Sequence, residues 1–147
     1  MKDHKTKERA FLQGDELYRV IVGDGTSDVP SVVGHMLMYL GFKSKLVGTR
    51  YLHSAILYRY NKGEIARVSL TGEVYRVVAE NNHSTVNRVE RAIRNSISDC
   101  NDNGNLIAFN DLVHCQIVET KFAPTNGELI SSIVNWLQLE KQKGRIR

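Results

Sequence analysis

Ser84-Thr-Val-Asn-Arg-Val-Glu-Arg-Ala-Ile-Arg-Asn-Ser-Ile97 is the stretch from which the rest of the chain is best read. At helical period Val86, Val89, Ala92, Ile93 and Ile97 share one face and make an apolar stripe. Asn87, Arg88, Glu90, Arg91, Arg94 and Asn95 share the other. Ser84 or Thr85 can accept the first orphan backbone N–H, which marks the helix start. Such an outer face suits a DNA major groove. Arginine grips guanine O6 and N7 in bidentate fashion, glutamate accepts from cytosine N4, and asparagine pairs with adenine. A solvated face with Glu90 paired to Arg94 one turn away satisfies the same pattern. Periodicity alone leaves both readings open.

The preceding residues favour the first. Leu70 to His83 predicts a shorter helix whose inner side is Val74, Val77, Val78 and Ala79, followed by a polar turn at Asn81-Asn82-His83. A helix, a short polar turn and a capped helix with a basic outer face is the order of a helix-turn-helix, whose second helix enters the groove.

These residues also carry a resemblance. Arg88-Val-Glu-Arg-Ala-Ile-Arg94 resembles the recognition helix of the stage-zero sporulation response regulator, the master regulator of endospore formation in Firmicutes. The likeness continues through Gly104-Asn105, Leu112, Thr120-Lys121, Pro124-Thr-Asn126, Glu128, Ile130 and Leu137-Gln-Leu-Glu140. Upstream, Gly48, Tyr51-Leu52, Ala55-Ile56 and Tyr60-Asn61 fit the same domain. The heptapeptide and the Pro-Thr-Asn segment are its specific signals. It spans about Asp28 to Glu140, the part matching that family's DNA-binding effector domain.

Composition sets the outer bounds. The chain has 147 residues, enough for one domain with a sizeable core. Its apolar runs are too short to span a bilayer, and the charged start Met1-Lys-Asp-His-Lys is unlike a signal peptide. Cys100 and Cys115 form no disulfide framework, so a reducing cytoplasmic setting is expected, with no membrane partner. The net charge is +4; the first 26 residues are balanced at five basic and five acidic, leaving fifteen against eleven in the remainder. A basic excess of that size is compatible with nucleic acid without selecting it.

Taken in order, residues 1–27 read as a tail and linker, charged to residue 13, with one strand over Leu17-Tyr-Arg-Val-Ile-Val22 and a break at Gly23-Asp-Gly-Thr-Ser27. The glycine pair there lacks a phosphate-loop sequence. Residues 28–140 form the helix-turn-helix domain. Val29 to Leu40 is a helix with Val32, Val33, Met36, Leu37 and Leu40 inward and Gly41 ending it; Met36 and Met38 are read as core filler. Thr49 to Tyr60 is the next, with Leu52, Ala55 and Ile56 inward, Tyr60 a further candidate, and a continuation past Gly63 through Ile65 and Val68 open to it. Leu106 to His114 is a short helix with Leu106, Phe109, Leu112 and Val113 inward. Thr125-Asn-Gly-Glu128 is a capping box after Pro124, and Leu129, Ile130, Ile133, Val134 and Leu137 form the buried stripe of the helix it starts, with Trp136 at the margin. Residues 141–147 read as a loose basic tail.

Asp99 to Asn110 imitates a calcium loop, with Asp, Asn and Asn at positions one, three and five and glycine at six. Position twelve is Asn110 instead of glutamate, and Asp99 is the one carboxylate among the expected ligands. A helix ending with Gly104 in the left-handed conformation is the preferred reading. His35, His53, His83 and His114 are scattered, and Cys100, His114 and Cys115 lack zinc spacing. The expectation is a non-enzyme with no cofactor and no metal.

The resemblance implies an all-α bundle of about six helices, containing a helix-turn-helix without a wing, after a short non-helical N-terminal segment. It implies double-stranded DNA as partner, bound at a box with a GTCGA-like core. Carried over, Glu90, Arg91 and Arg94 face base edges, with Asn87 and Arg88 near bases or phosphates. Ser84 and Thr85 at the helix start, His83 in the turn, and Lys121, Thr125 and Asn126 are the expected phosphate contacts. The family's lysine before the proline is Ala123 here, so that contact does not carry over. Tandem homodimers on paired boxes, and a sigma subunit of RNA polymerase touching the region matching Asn103 to Ile117, are the further implied partners. The 147 residues leave no room for the regulator's receiver domain, so the expectation is an effector that lacks phosphorylation control in cis. The competing expectation is a protein-interaction module that binds the full regulator or a sigma factor without reading DNA.

Overall fold

The computed structural model describes residues 11–63 and 69–147, and these contain seven α-helices and no strand. We number them α1 (Gly14–Val22), α2 (Val29–Tyr39), α3 (Val47–Lys62), α4 (Tyr75–Asn81), α5 (Val86–Asn103), α6 (Phe109–Val113) and α7 (Asn126–Gln142). A π-helical turn, Leu70–Val74, leads into α4, and a 3-10 turn, Leu106–Ala108, leads into α6. The expected continuation of α3 through Ile65 and Val68 falls outside the described residues. α3 itself stops at Lys62, where Gly63 takes a φ of 84°.

The strand expected over Leu17–Val22 is instead most of α1. Val20, Ile21 and Val22 favour strands on propensity, but Asp15 and Glu16 stand in the first turn, where they complement the helix dipole. Leu17 and Ile21, four residues apart, are both fully buried against α2. Burial of that stripe outweighs a propensity difference of at most ~1 kcal/mol. Residues 11–13 are non-helical, and Leu12 is held by Asn105 Nδ2, which donates to its carbonyl at 3.1 Å.

α2 starts on Asp28, whose carboxylate accepts from Ser31 N at 3.0 Å, with Pro30 in the first turn. It buries the residues expected of it, ending at Gly41 with φ +96°. Met38 is the exception at 56% exposure, so it is surface and not core filler. α3 is the central element and packs against α2, α4, α5 and α7. Leu52, Ala55 and Ile56 on it are completely inaccessible.

Gly104 ends α5 with a φ of −104°, outside the left-handed region expected of it. Its lack of a side chain serves close approach instead. A Cβ there would meet the Gly41 carbonyl at 3.0 Å and the Cys100 carbonyl at 2.9 Å. The chain ends of α2 and α5 are tied where they meet: Asn105 N donates to the Leu40 carbonyl at 2.8 Å, and Cys100 Sγ donates to it at 3.2 Å. Asn110, the twelfth residue of the calcium-like loop, clamps the following segment. Its Oδ1 accepts from Ile117 N and Val118 N, both at 2.8 Å, and its Nδ2 donates to the Val118 carbonyl.

Residues 141–147 are not a loose tail. Ile146 is buried, Arg147 N donates to the Ser27 carbonyl at 2.9 Å, and the Arg147 guanidinium lies 3.7 Å from Asp28. Arg145 donates to the Tyr18 hydroxyl at 3.2 Å, and that hydroxyl donates in turn to the buried Glu140 carboxylate. The C-terminus thus closes over α1. The mostly basic sequence hid a single apolar anchor, Ile146.

The two cysteines differ in reactivity. Burial pushes the Cys100 thiol up to about 12, whereas Cys115 is exposed. Because the thiolate is the nucleophile, a disulfide reagent such as DTNB at pH 8 should label Cys115 alone in the native protein and both cysteines in denaturant. Rapid native labelling of both would contradict the buried placement of Cys100.

Candidate nucleic-acid interface

The interface is built outward from α3. A Cβ on Gly48, in the first turn of α3, would lie 1.9 Å from the Ala92 carbonyl oxygen and 3.0 Å from Ser96 Oγ. The backbones of α3 and α5 therefore touch, and this contact fixes the side of α5 that points inward. Val89, Ile93 and Ile97 are buried by it, as are Ser96 and Cys100. Val86 and Ala92 pack at its edge.

α4 is placed by the turn before it. Glu73 accepts from the Tyr58 hydroxyl of α3 and stands 3.4 Å from Lys62 Nζ; the Tyr58 hydrogen bond, more than the Lys62 charge, holds its carboxyl below the usual range. Val74, Val78 and Ala79 are buried as expected, whereas Val77 is half-buried. Tyr75, absent from the expected inner face, is 3% exposed. Its position four residues before Ala79 on the stripe was the available signal.

Four residues join α4 to α5. Asn82 Nδ2 donates to the Val78 carbonyl at 2.8 Å, and Ser84 N donates to the Ala79 carbonyl at 2.9 Å. Between them His83 takes a φ of 52°, in the left-handed region. Thr85 then caps α5, its hydroxyl accepting from Arg88 N at 3.2 Å. Helix, turn and capped helix occur in the expected order.

Asn87, Arg88, Arg91 and Arg94 are exposed on the outer face of α5, with Glu90 half-buried beside them. Glu90 and Arg94 form the one-turn ion pair at 2.8 Å. Such a pair on an accessible face is worth about 0.3–0.5 kcal/mol, so it is readily exchanged for other partners. Among the described residues no ion pair engages Arg88 or Arg91. His83, Thr85, Lys121 and Thr125 are exposed and Ser84 is half-buried.

α7 starts with the full capping box. Glu128 N donates to Thr125 Oγ1 at 3.1 Å, and Thr125 N donates to Glu128 Oε1 at 2.9 Å. Asn126, expected at a phosphate, is instead 7% exposed, and its amide is turned inward onto α4 and α5. Its position beside exposed Thr125 concealed this. The inward contact brings the start of α7, with Thr125 on its surface, alongside α5.

Residues 33–137 match the family described as "Sporulation initiation factor Spo0A C terminal". The chain belongs to this family. The Spo0A C-terminal family is a DNA-binding domain of a sporulation regulator, a regulatory and not an enzymatic family. The matched residues contain α3 to α6 entire, together with most of α2 and α7. α1 and residues 138–147 lie outside the match, and they are the parts that clasp each other. Among the described residues no helix is long and apolar enough to cross a membrane.

Gly48→Ala tests the α3–α5 contact, because the nearest obstacle to its Cβ is the Ala92 backbone, which cannot yield as the end of a side chain could. It should destabilise the protein by about 3 kcal/mol, the upper part of the range for overpacking, as read by urea denaturation. A loss below about 0.5 kcal/mol, the level of an ordinary surface substitution, would show that the two backbones are not in contact.

Proposed function

We propose that the chain is a sequence-specific, double-stranded DNA-binding transcription regulator of helix-turn-helix type, with α5 as the recognition helix in the major groove. The observation that carries this reading is the two-sidedness of α5. One side is locked backbone to backbone against α3, and the other holds out Asn87, Arg88, Arg91 and Arg94 around Glu90. A rigid helix with three arginines spaced three residues apart can present guanidinium groups to successive base pairs. Arg91 and Arg94 suit guanine, and Glu90 suits cytosine N4. In this reading Arg94 exchanges or shares its pairing with Glu90 on binding, while Asn87 and Arg88 stand near bases or phosphates.

Phosphates fix position and carry no sequence information. Thr85 and Ser84 at the start of α5 are suited to them, because the helix N-terminus favours anions. His83 in the turn joins them, and the exposed Lys121 and Thr125 are further phosphate contacts in this reading. Tandem binding to paired boxes, and contact with a sigma subunit through the 103–117 region, belong to the same proposal and rest on the family. In that region Ile107, Asp111, His114, Cys115 and Gln116 are exposed. Phe122, 71% exposed beside Lys121, favours a second reading as a module that docks on a protein partner. Such a module would capture its partner without DNA and tolerate both Arg91→Ala and Arg94→Ala.

Fluorescence anisotropy separates base reading from charge. Arg91→Ala should reduce the preference for a duplex with the GTCGA-like box over a scrambled duplex by about 1–3 kcal/mol. Lys121→Ala should weaken both duplexes about equally and lower the salt slope by about one. An unchanged preference in Arg91→Ala would remove α5 from the major groove.

A further inference from the structure

Asn126 joins three elements beneath the interface. Its Nδ2 donates to the Tyr75 hydroxyl of α4 at 3.0 Å and to the Glu90 carbonyl of α5 at 3.1 Å, from the first residue of α7. Tyr75 is 3% exposed and Asn126 is 7% exposed, so both bonds are sheltered from water. The Glu90 carbonyl has two lone pairs; one serves the helix's own ladder, and the other is left for Asn126.

The amide is held at a cost. Asn126 Oδ1 is sealed from solvent and has no hydrogen-bond partner, a state that is unfavourable in a packed interior. Turning the amide over would place that oxygen against the Glu90 carbonyl, which can only accept. The capping box fixes the neighbouring backbone, so the side chain cannot withdraw. Burial raises the Tyr75 hydroxyl above its ordinary range.

We propose that Asn126 is a positioning residue for base reading: through the Glu90 carbonyl and the Tyr75 hydroxyl it sets the rotation of α5 against α4 and α7, and so aims Glu90, Arg91 and Arg94. The inference rests on the DNA-reading function proposed above. Base recognition tolerates errors of only about 0.5 Å or 10–20° in the groups that perform it. A side chain that fixes the helix at the level of Glu90 therefore governs specificity while standing out of reach of the DNA. Its predicted signature is opposite to that of a phosphate contact.

The test compares the full chain with Asn126→Ala and Tyr75→Phe on box and scrambled duplexes across a salt series, with thermal unfolding of each variant. Asn126→Ala should lower the box preference about tenfold, and Tyr75→Phe several-fold, while scrambled-duplex affinity and salt slope stay at the wild-type values. Tyr75 is buried, so its effect cannot be a lost phosphate contact, and it carries the test alone if Asn126→Ala fails to fold. Equal weakening on both duplexes, with a salt slope lower by about one, would make Asn126 a phosphate contact and overturn the proposal. An unchanged box preference in both variants would overturn it as well. A wild-type chain with equal affinity for the two duplexes would overturn the DNA-reading function itself, and this inference with it, before any variant is compared.

Discussion

The position of α5, and with it the outer face, depends on the contact between Gly48 and the Ala92 carbonyl. Two helices can approach this closely only where one of them has no side chain. Because α3 also packs on α2, α4 and α7, fixing α5 to α3 fixes it to the whole core. The outer face of α5 is then a consequence of its inner one. A helix of eighteen residues with its apolar stripe locked in place has no freedom to choose which residues it shows. The arginines face outward because Val89, Ile93 and Ile97 cannot.

Polar ties refine what the apolar contact sets. The Tyr58–Glu73–Lys62 cluster seats the turn that launches α4, and Asn126 links α4, α5 and α7 at the level of Glu90. Such bonds contribute little to net stability, because folding exchanges them for bonds to water. Their value lies in geometry, since hydrophobic contact is non-directional and tolerates small rotations. A base-reading helix needs both kinds of restraint. The clasp that residues 145–147 make with Tyr18, Ser27 and Asp28 involves none of the residues proposed to contact DNA.

Much of this was legible in the sequence, and the failures have physical causes. Amphipathic period located α2, and period together with side-chain caps located α5 and α7, because Thr85 and Thr125 announce their helices through bonds to neighbouring residues. Local signals of that kind survive without tertiary information. α1 was misread as a strand because β-branched propensity is local whereas the burial of Leu17 and Ile21 on α2 is not. Residues 141–147 were misread because charge dominates their composition while the buried Ile146 decides their placement. Gly104 was expected to be left-handed, a backbone property; its actual role is to leave room for Gly41, sixty-three positions earlier in the chain. The same limit applies to the site. Exposed arginines follow from the stripe, but nothing near Asn126 in sequence shows that its amide faces Tyr75 and Glu90.

The central claim is that the outer face of α5 reads DNA. Amide NMR of the full chain titrated with box and scrambled duplexes tests it most directly, because it reports which surface is covered. The account predicts box-dependent shifts concentrated in residues 83–95, with smaller shifts at 121–126 that both duplexes produce. Shifts that are identical for the two duplexes, or that leave 83–95 unmoved, would contradict it.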